Sequence, residues 1–216
     1  MIVLGVDTCL NACSVAVVDG ARVLAAAREP MTRGHQERIA TLARDVAAMA
    51  GVDFAALGRI GVTVGPGSFT GLRVGLAFAK GLAAALGVPA IGVGVLEALA
   101  AESADGLTIA AVDARRDQVY LQAFRDGVPL GPPEAAGLHE AREHVAAVAV
   151  GGAATLIGPG APLLQSAAPG ARLILADGAD PAVVARLAAS KPAQPPTPLY
   201  LRAPDARLPG GRSLGA

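Results

Sequence analysis

The sequence predicts an α/β fold in which mixed sheets carry helices on their faces. Three leading apolar runs of strand length are followed by helical and strand-like stretches in alternation, which favours this class. Hydrophobic residues make up 53% of the chain, yet aromatic residues make up only 3%, and there is no Trp. The core must therefore consist mainly of Ala, Val, Leu and Ile, which suits helices packed closely on Val- and Ile-rich strands.

The first half of the chain divides into elements at its glycines, prolines and apolar runs. Three leading strands, with a turn at Asp19-Gly20 between the second and third, predict an antiparallel meander. Apolar residues at helical spacing predict a helix that Gly51 ends and a second helix that ends at Gly87 and Pro89. The predicted order is strand 2–7, strand 12–19, strand 22–28, helix 34–50, strand 60–64, helix 70–86, strand 90–93 and helix 96–103.

The second half repeats the opening pattern of the first. In the first half, an apolar strand ends at Asp7 and is followed by a strand of alternating apolar and polar residues. The same pair of strands occurs in the second half, where the first of them ends at Asp113. This duplication predicts a lobe of residues 1–104 and a smaller lobe of residues 105–197, with the segment 198–216 packing back on the first. Further elements are predicted near 139–147 (helix), 154–157 (strand), 173–175 (strand) and 181–189 (helix).

The element order of the first half is that of the ribonuclease-H-like lobe found in actin and the sugar kinases. By this analogy we expect the first half to form such a lobe, a mixed sheet with helices on its faces.

Charge and cysteine content exclude several classes of protein. Eighteen basic residues balance eighteen acidic ones, so no long-range field holds a polyanion, and we expect another molecule to hold any RNA.

The opening segment lacks the basic region of a signal peptide, and Cys9 and Cys13 suggest no disulfide framework, so we expect a cytoplasmic protein. Arg73 and Lys80 interrupt the apolar stretch 70–88. Because a charge at a bilayer centre costs roughly 3 kcal/mol, we expect no membrane-spanning segment.

The run from Gly65 to Arg73 lies between a predicted strand and a predicted helix. Its glycines allow a sharp backbone turn, and Thr70 is placed to cap the helix through its hydroxyl group. No Gly-Lys-Ser/Thr follows, which excludes a P-loop, and the spacing and Pro66 exclude a dinucleotide-binding fingerprint. A structural corner is favoured over an anion site at the open amide groups of the helix start.

Small residues recur at every fourth position of the second helix, at Gly71, Gly75, Ala79 and Ala83. They form one stripe, the small-residue stripe, which lets another helix approach to the short end of the roughly 8–10 Å range of interaxial distances. Other sides of this helix are also apolar, so it must be covered on most sides. Periodicity alone leaves two covers open, the helix 34–50 of the same chain or another subunit.

Residues that could bind metal or act as nucleophiles lack the partners that such chemistry requires. His35 begins a helix, but Ile39 stands where a second metal-binding His would be, so we expect His35 to cap the helix or lie in solvent. Cys9 and Cys13 have no further zinc ligand nearby and are expected to be ordinary buried or half-buried thiols. With three histidines in the chain no nucleophile–base–acid set stands out, and we predict no catalytic residue and no metal site.

Asp7 and Asp113 each end the first strand of a lobe. In a two-lobed nucleotide-binding fold such carboxylates lie near the cleft and hold Mg²⁺ through water, and Gly158 and Gly160 could then face an adenosine. Neither carboxylate is followed by the glycine-rich hairpin that grips phosphates, so a role as strand-end cap is favoured. A vestigial nucleotide cleft formed by these four residues is the alternative.

Six segments taken together resemble the TsaB (YeaZ) family. The Gly-Pro-Gly-Ser-Phe-Thr-Gly-Leu-Arg run at 65–73 is highly specific, and the other five are individually modest. In chain order the segments are Leu4-Gly5-Val6-Asp7-Thr8, Ala12-Cys13-Ser14-Val15-Ala16, Gly34-His35, residues 65–73, Val112-Asp113-Ala114-Arg115 and Pro198-Leu199-Tyr200-Leu201-Arg202. They run from the first residues almost to the last.

The resemblance implies a fold and a function that residue spacing does not show. The implied fold is the two-lobed actin-like ATPase (ribonuclease-H-like) architecture, in which each lobe is a mixed sheet flanked by helices. Family members act with TsaD, a paralogue, and with the ATPase TsaE. Together they transfer threonylcarbamoyl from its AMP adduct to N6 of the adenosine next to the anticodon in tRNAs reading ANN codons. TsaD carries a metal-binding His-x-x-x-His and the active site, whereas this chain offers His35 but Ile39, which implies a non-catalytic subunit. The implied contact with tRNA is indirect, and the resemblance implies no tightly bound cofactor, with ATP or ADP only at the TsaD-containing complex.

The resemblance also implies where the partner binds. Family members pair with TsaD through their first two helices, here 34–50 and 70–86, and homodimers through the same face are expected in the absence of TsaD. This assigns the small-residue stripe to a contact between subunits. The implied interface residues are His35, Ile39, Leu42, Val46, Gly71, Leu72, Gly75, Leu76, Ala79 and Ala83.

Two other functions stay open on the sequence. An actin-like ATPase or kinase would use Asp7 and Asp113 around Mg-nucleotide, and it would bind ATP as an isolated chain. A metallopeptidase would hold stoichiometric zinc or iron, for which the second His is missing.

Overall fold

The computed structural model describes residues 1–103, 105–150 and 153–202. The strands are β1 (Ile2–Asp7), β2 (Ala12–Asp19), β3 (Arg22–Pro30), β4 (Arg59–Thr63), β5 (Ala90–Val93), β6 (Leu107–Arg115), β7 (Gln118–Arg125), β8 (Val128–Pro129), β9 (Glu134–Gly137), β10 (Ala154–Ile157) and β11 (Arg172–Ile174). The α-helices are α1 (His35–Ala50), α2 (Phe69–Leu86), α3 (Val95–Ala100), α4 (Leu138–Val148), α5 (Ala161–Leu164) and α6 (Pro181–Ser190). The elements predicted from periodicity are confirmed to within a few residues, whereas the short elements β8, β9 and α5 were not predicted.

The first lobe contains a five-stranded mixed sheet with the strand order β3-β2-β1-β4-β5. Strands β1, β2 and β3 pair antiparallel as the predicted meander, and β4 and β5 continue the sheet parallel to β1. Alternation along β1 puts Leu4 and Val6 in one hydrophobic cluster with residues of α1 and α2. Val3 lies in another cluster with residues of α6. Helices therefore cover both faces of this sheet.

The second lobe contains a sheet with the strand order β11-β10-β6-β7-β8, and β9 also pairs with β7. Strand β6 pairs parallel with β10 and antiparallel with β7, so this sheet is mixed as well. Ile109 and Leu156 of the sheet share a core with Val145 of α4 and Leu164 of α5. The predicted α/β class, with two mixed sheets flanked by helices, is confirmed.

The last helix, α6, packs on the first sheet, although the sequence predicts that residues 105–197 form the second lobe. A Cβ atom on Gly61 would lie 2.6 Å from the Cβ atom of Ala188, and one on Gly5 would collide with the carbonyl oxygen of Pro181. These glycines of β1 and β4 let the helix lie directly on the strands. The chain thus returns to the first lobe at α6, before the return predicted at residue 198. Sequence patterns did not show this, because Gly5 and Gly61, which contact α6, lie far from it along the chain.

The small-residue stripe of α2 packs inside the chain. Cβ atoms on Gly71 and Gly75 would collide with the carbonyl and hydroxyl oxygens of Thr8, and Ala79 is fully buried. The stripe holds α2 against the end of β1 and is not available to another subunit. The structure therefore corrects the assignment of the stripe to an intersubunit contact, because helical spacing shows that a face is buried but not which chain buries it.

The other residues of the implied interface are internal too. The buried members are His35, Ile39, Leu42 and Val46 of α1 and Leu72, Leu76 and Ala83 of α2. His35 is 7% exposed, and its Nε2 atom is buried without a hydrogen-bond partner among the described residues. The expectation that His35 caps α1 or lies in solvent is wrong, because Gly34 occupies the N-cap position with φ 86 and no side chain caps the helix.

Helix α2 is apolar on most of its sides. It spans 18 residues with a mean hydropathy of 1.3, so by length and composition alone it could cross a bilayer. Only 33% of these residues are buried in the protein, and they include the small-residue stripe that contacts β1. A helix that packs on its own sheet passes the same test, so length and composition do not decide what surrounds the exposed side.

Substitutions at the glycines of α2 are expected to differ according to the side that they face. Gly75→Leu should destabilise the isolated chain by about 1–3 kcal/mol or more, because the new side chain must displace Thr8 and Val62. Gly81→Ala should stabilise it by about 0.5–1 kcal/mol, since no atom lies within 4 Å of the Cβ position and alanine is the better helix former. Urea unfolding followed by circular dichroism measures both changes. Equal effects of the two variants would contradict the observed packing of α2.

Candidate functional site

The corner between β4 and α2 is packed against the turn that follows β1. The Ser68 N–H donates to the Cys9 carbonyl oxygen at 2.7 Å, and the Ser68 hydroxyl accepts from the Gly71 N–H at 3.2 Å. Ser68 is therefore the N-cap of α2, and not Thr70 as the sequence predicts. Gly65 has φ +97, a conformation that L side chains rarely adopt. These contacts support the structural-corner interpretation of the motif.

Asp7 is a fully buried residue that joins the end of β1 to the segment before α6. Its Oδ1 atom accepts from the Cys9 N–H at 3.0 Å and from the Thr63 hydroxyl at 2.7 Å, and its Oδ2 atom accepts from the Ala179 N–H at 3.1 Å. Burial raises the pKa of Asp7, while these three donors and the charge of Arg28 oppose the rise. Both carboxylate oxygens are engaged inside the first lobe, so Asp7 acts as a cap.

A cleft of about 790 Å³ lies between the two lobes. This volume is within the roughly 300–1,000 Å³ typical of small-molecule sites. The cleft is lined by residues 9–11, 66–69 and 72 of the first lobe, by residues 112–115, 120 and 159 of the second, and by residues 199–202. Of the two carboxylates that the sequence predicts here, Asp113 lines the cleft and Asp7 does not. Asp113 Oδ1 accepts from the Arg115 N–H at 2.7 Å, and the Arg115 guanidinium lies 3.4 Å from Oδ2.

Gly158 and Gly160 pack on strand β6 and do not line the cleft. A Cβ atom on Gly160 would lie 2.8 Å from the carbonyl carbon of Val112, and the Gly160 N–H donates to the Ala111 carbonyl oxygen at 3.0 Å. The glycines allow the loop after β10 to touch the backbone of β6, and Pro159 between them faces the cleft. Of the four predicted cleft residues, the structure therefore places Asp113 alone in the cleft.

Residues 199–202, which we call the C-terminal clasp, connect the two lobes across the cleft. The Leu199 N–H donates to the Val64 carbonyl oxygen of the first lobe at 2.8 Å. The Arg202 Nη1 atom donates to the Ala114 carbonyl oxygen at 3.1 Å and to Gln118 Oε1 at 3.0 Å in the second lobe. The clasp therefore forms a wall of the cleft and joins its two sides. The sequence predicts that residues 198–216 pack on the first lobe, and of these, 203–216 lie outside the described residues. The link from Arg202 to the second lobe was not predicted.

The turn between β6 and β7 forms part of the cleft rim and has a strained backbone. Arg115, Arg116 and Asp117 have φ angles of 64, 54 and 55. A left-handed conformation costs roughly 1–2 kcal/mol for a residue other than glycine. The Asp117 carbonyl oxygen accepts from the Leu138 N–H at 2.8 Å, which ties the turn to the start of α4. Sequence reasoning missed this feature because the turn contains no glycine.

Cys9 and Cys13 are buried free thiols, which confirms the sequence prediction. Burial raises the pKa of both thiols, that of Cys13 to about 11, with a smaller contribution from the charge of Glu29. Such thiols are protonated at neutral pH and are poor nucleophiles and poor metal ligands. Across the described ranges, 1–103, 105–150 and 153–202, no group of three or more His, Cys, Asp and Glu residues could hold a metal ion.

The side of α2 that faces away from the small-residue stripe is exposed and largely apolar. This outer face of α2 is defined by the exposed residues Phe69, Arg73, Ala77, Lys80, Gly81 and Ala84. Phe78 and Leu82 are half-buried beside it. Sequence reasoning missed this face because it followed the strongest repeat of small residues, which the fold itself buries. A signal was present, since a helix apolar on all sides retains an apolar side after its sheet is covered.

An ordered aromatic cluster lies at the N-terminal end of the outer face. The Phe69 and Tyr200 ring centroids are 5.3 Å apart, and the Arg73 guanidinium carbon lies 3.7 Å from the Phe69 centroid. Arg73 Nε also donates to the Tyr200 hydroxyl at 3.3 Å. Phe69 and Tyr200 nevertheless remain 41% and 43% exposed. The outer face and the C-terminal clasp therefore meet at Tyr200.

Sequence comparison relates the chain to proteins of tRNA modification. A family model described as "TsaD: tRNA N6-adenosine threonylcarbamoyltransferase" matches residues 28–131. The tRNA threonylcarbamoyladenosine biosynthesis protein TsaB of Escherichia coli is 36% identical over 129 residues, which is 58% of this chain and 55% of that protein. An uncharacterised protein of Mycobacterium tuberculosis is 34% identical over 221 residues, which is 95% of this chain and 93% of that protein.

Structural comparison covers nearly the whole chain. A crystal structure from Pseudomonas aeruginosa, described as having similarity to peptidase YEAZ, has 28% sequence identity and a TM-score of 0.78, and the match covers 93% of this chain and 99% of that one. The chain belongs to the TsaB (YeaZ) family. The alignment with the E. coli TsaB spans about half of that relative's length.

The wider fold of this TsaB-family chain is that of the actin-like ATPases. The ROK hexokinase of Thermus thermophilus has a TM-score of 0.52 at 18% identity, and the match covers 88% of this chain and 97% of the hexokinase. At this identity the likeness concerns the fold alone. The predicted two-lobed actin-like ATPase fold is confirmed, and with it the family to which the six sequence segments pointed.

Asp7 and Asp113 are expected to differ in their effect on stability. Asp7→Asn should lower the free energy of unfolding by about 1–3 kcal/mol, because one carboxylate oxygen becomes an NH₂ group that faces a buried donor. Asp113→Asn should change it by less than about 1 kcal/mol, since its side chain is 35% exposed. Thermal unfolding of both variants tests this difference. A fully stable Asp7→Asn variant would contradict the capping role of Asp7.

Proposed function

We propose that this TsaB-family chain is a non-catalytic subunit that binds a TsaD paralogue through the outer face of α2 and supports the modification of tRNA. The observation that carries the proposal is the outer face itself. It is an exposed, largely apolar side of α2, and only 33% of the residues of α2 are buried in the protein. TsaD transfers threonylcarbamoyl to N6 of the adenosine next to the anticodon in tRNAs reading ANN codons. The present chain holds TsaD in its active arrangement.

The shape of the outer face suits close contact with a helix. Ala77, Gly81 and Ala84 are exposed along it, so a partner helix can approach to the short end of the roughly 8–10 Å range. Helix α1 packs beside α2 and carries an exposed apolar residue of its own, Met49, which is 62% exposed. A partner that covers exposed apolar surface of this kind gains roughly 25 cal/mol of binding free energy for each Å² of apolar area removed from water.

The buried residues support a role without chemistry of its own. Asp7 uses both carboxylate oxygens to cap internal amides, so it is not placed to hold Mg²⁺ in the cleft. The C-terminal clasp forms one wall of the same cleft. His35 is buried with Ile39 at the position of a second ligand, and burial keeps both thiols protonated. These observations weigh against an ATPase, a kinase or a metallopeptidase.

The remaining partners follow from charge and from the family. Eighteen basic residues against eighteen acidic residues give this chain no excess charge for tRNA, so TsaD holds the tRNA and the contact of this chain is indirect. TsaE and ATP or ADP bind at the TsaD-containing complex, in the cytoplasm. Without TsaD, the outer face forms a homodimer.

Gly81 offers a test of the docking face that does not disturb the fold. Gly81→Leu should abolish co-elution with purified TsaD in size-exclusion chromatography, because its side chain projects into the contact with a partner. Its free energy of unfolding should not fall, since the Cβ position is open and leucine favours helices. Gly81→Ala, the matched control, should still bind TsaD. Normal co-elution of the Gly81→Leu variant would contradict the assignment of this face.

The cellular role is tested by mass spectrometry of tRNA nucleosides. Cells depleted of this chain should lose threonylcarbamoyladenosine, and expression of the Gly81→Ala variant should restore it. The Gly81→Leu variant should fail to restore the modification although it folds. An unchanged content of threonylcarbamoyladenosine in depleted cells would show that the proposed function is wrong.

A further inference from the structure

We infer that the outer face of α2 selects a partner helix that places carboxylates opposite Arg73 and Lys80, and that it thereby disfavours a second copy of this chain. The inference rests on the proposed function, because it takes the partner to be the TsaD paralogue. It adds the chemistry by which the partner is recognised.

The charges of α2 are all of one sign. Arg73 and Lys80 are its charged residues, and the helix contains no Asp or Glu. They are seven residues apart, which is close to two helical turns, so they lie on the same side about 10 Å from each other. Both are exposed, and the outer face between them carries Ala77. The face therefore presents two separated cations on an apolar background.

A partner that covers this face must compensate both cations. Removing a cation from water is strongly unfavourable unless an anion replaces the lost hydration, and the interaction is then favourable only with good geometry. Carboxylates at i and i+7 of an opposing helix have the same spacing of about 10 Å. An apolar helix with such a pair of acids is complementary to the outer face in both shape and charge.

A second copy of this chain lacks these acids. A two-fold contact between two α2 helices brings four cations together and no carboxylate from α2. Asp45 of α1 is already paired with Arg44 at 3.0 Å. Within the described residues, Glu37 is then the one acid of α1 outside an ion pair. One carboxylate per copy cannot match two cations, so self-association is the weaker alternative.

Arg73 is held in place before any partner arrives. Its guanidinium lies over the Phe69 ring and its Nε atom bonds to the Tyr200 hydroxyl. Binding therefore costs little further ordering of this long side chain. Arginine and aromatic residues are also the types that contribute most to protein interfaces. The cluster makes Arg73 the anchor of the selection, with Lys80 as the second contact.

The first experiment measures the affinity of full-length variants for TsaD by isothermal titration calorimetry at low and high salt. Lys80→Glu should weaken binding at least tenfold and reduce its dependence on salt, and Lys80→Gln should give a smaller loss. Arg172→Glu, the same charge change at an exposed residue of β11, should leave the affinity within about twofold. Thermal unfolding confirms that each variant is folded.

The second experiment uses this chain alone. The double variant Arg73→Glu/Lys80→Glu, mixed with the unsubstituted chain, should form dimers at least tenfold more tightly than the unsubstituted chain does, because opposite charges then meet. Sedimentation equilibrium measures both dissociation constants. A mixture that associates no better than the unsubstituted chain overturns the inference.

The two levels of the argument fail separately. If the unsubstituted chain does not bind TsaD at all, the proposed function is wrong. If it binds TsaD and the Lys80→Glu variant binds equally well, the charge selection is wrong while the proposed function stands.

Discussion

The contact between α2 and the end of β1 is the constraint on which the rest of the first lobe depends. The Thr8 hydroxyl donates to the Gly71 carbonyl oxygen at 2.8 Å, and side chains at Gly71 and Gly75 would collide with Thr8. This contact sets the rotation of α2 about its axis. Because α2 is apolar on most of its sides, that rotation decides which of its residues enter the core and which form a surface. The outer face is thus a consequence of how the stripe packs.

The cleft shows how a nucleotide-binding architecture can be used for structure. A carboxylate can hold a hydrated cation only if its oxygens are free to accept from the bound water. Asp7 accepts three hydrogen bonds from Cys9, Thr63 and Ala179, which fastens the segment before α6 to the sheet. The clasp then crosses the cleft and ties Val64 to the second lobe through Arg202. Groups at the lobe junction therefore hold the chain together.

Local patterns in the sequence predicted most of the fold and little of what the exposed surfaces do. The strands, the helices and the position of Asp113 follow from periodicity and turn residues, which are properties of short segments. The packing of α6 on β1 and the link from Arg202 to Gln118 join residues far apart in the chain, so no short pattern records them. The small-residue stripe is the instructive error. Its period shows burial, but the identity of the covering surface depends on Thr8, outside the helix.

Gly75 and Gly81 lie on different sides of one helix, about 120° apart around its axis, and the fold requires glycine at only one of them. Gly75 is required by the fold, because Thr8 occupies the space of a side chain. Gly81 has open space around it, and glycine within a helix costs about 1 kcal/mol relative to alanine. The isolated chain gains nothing from glycine at this position. The fold therefore does not require glycine here, and its absent side chain leaves this part of the outer face low enough for the close helix contact that we propose.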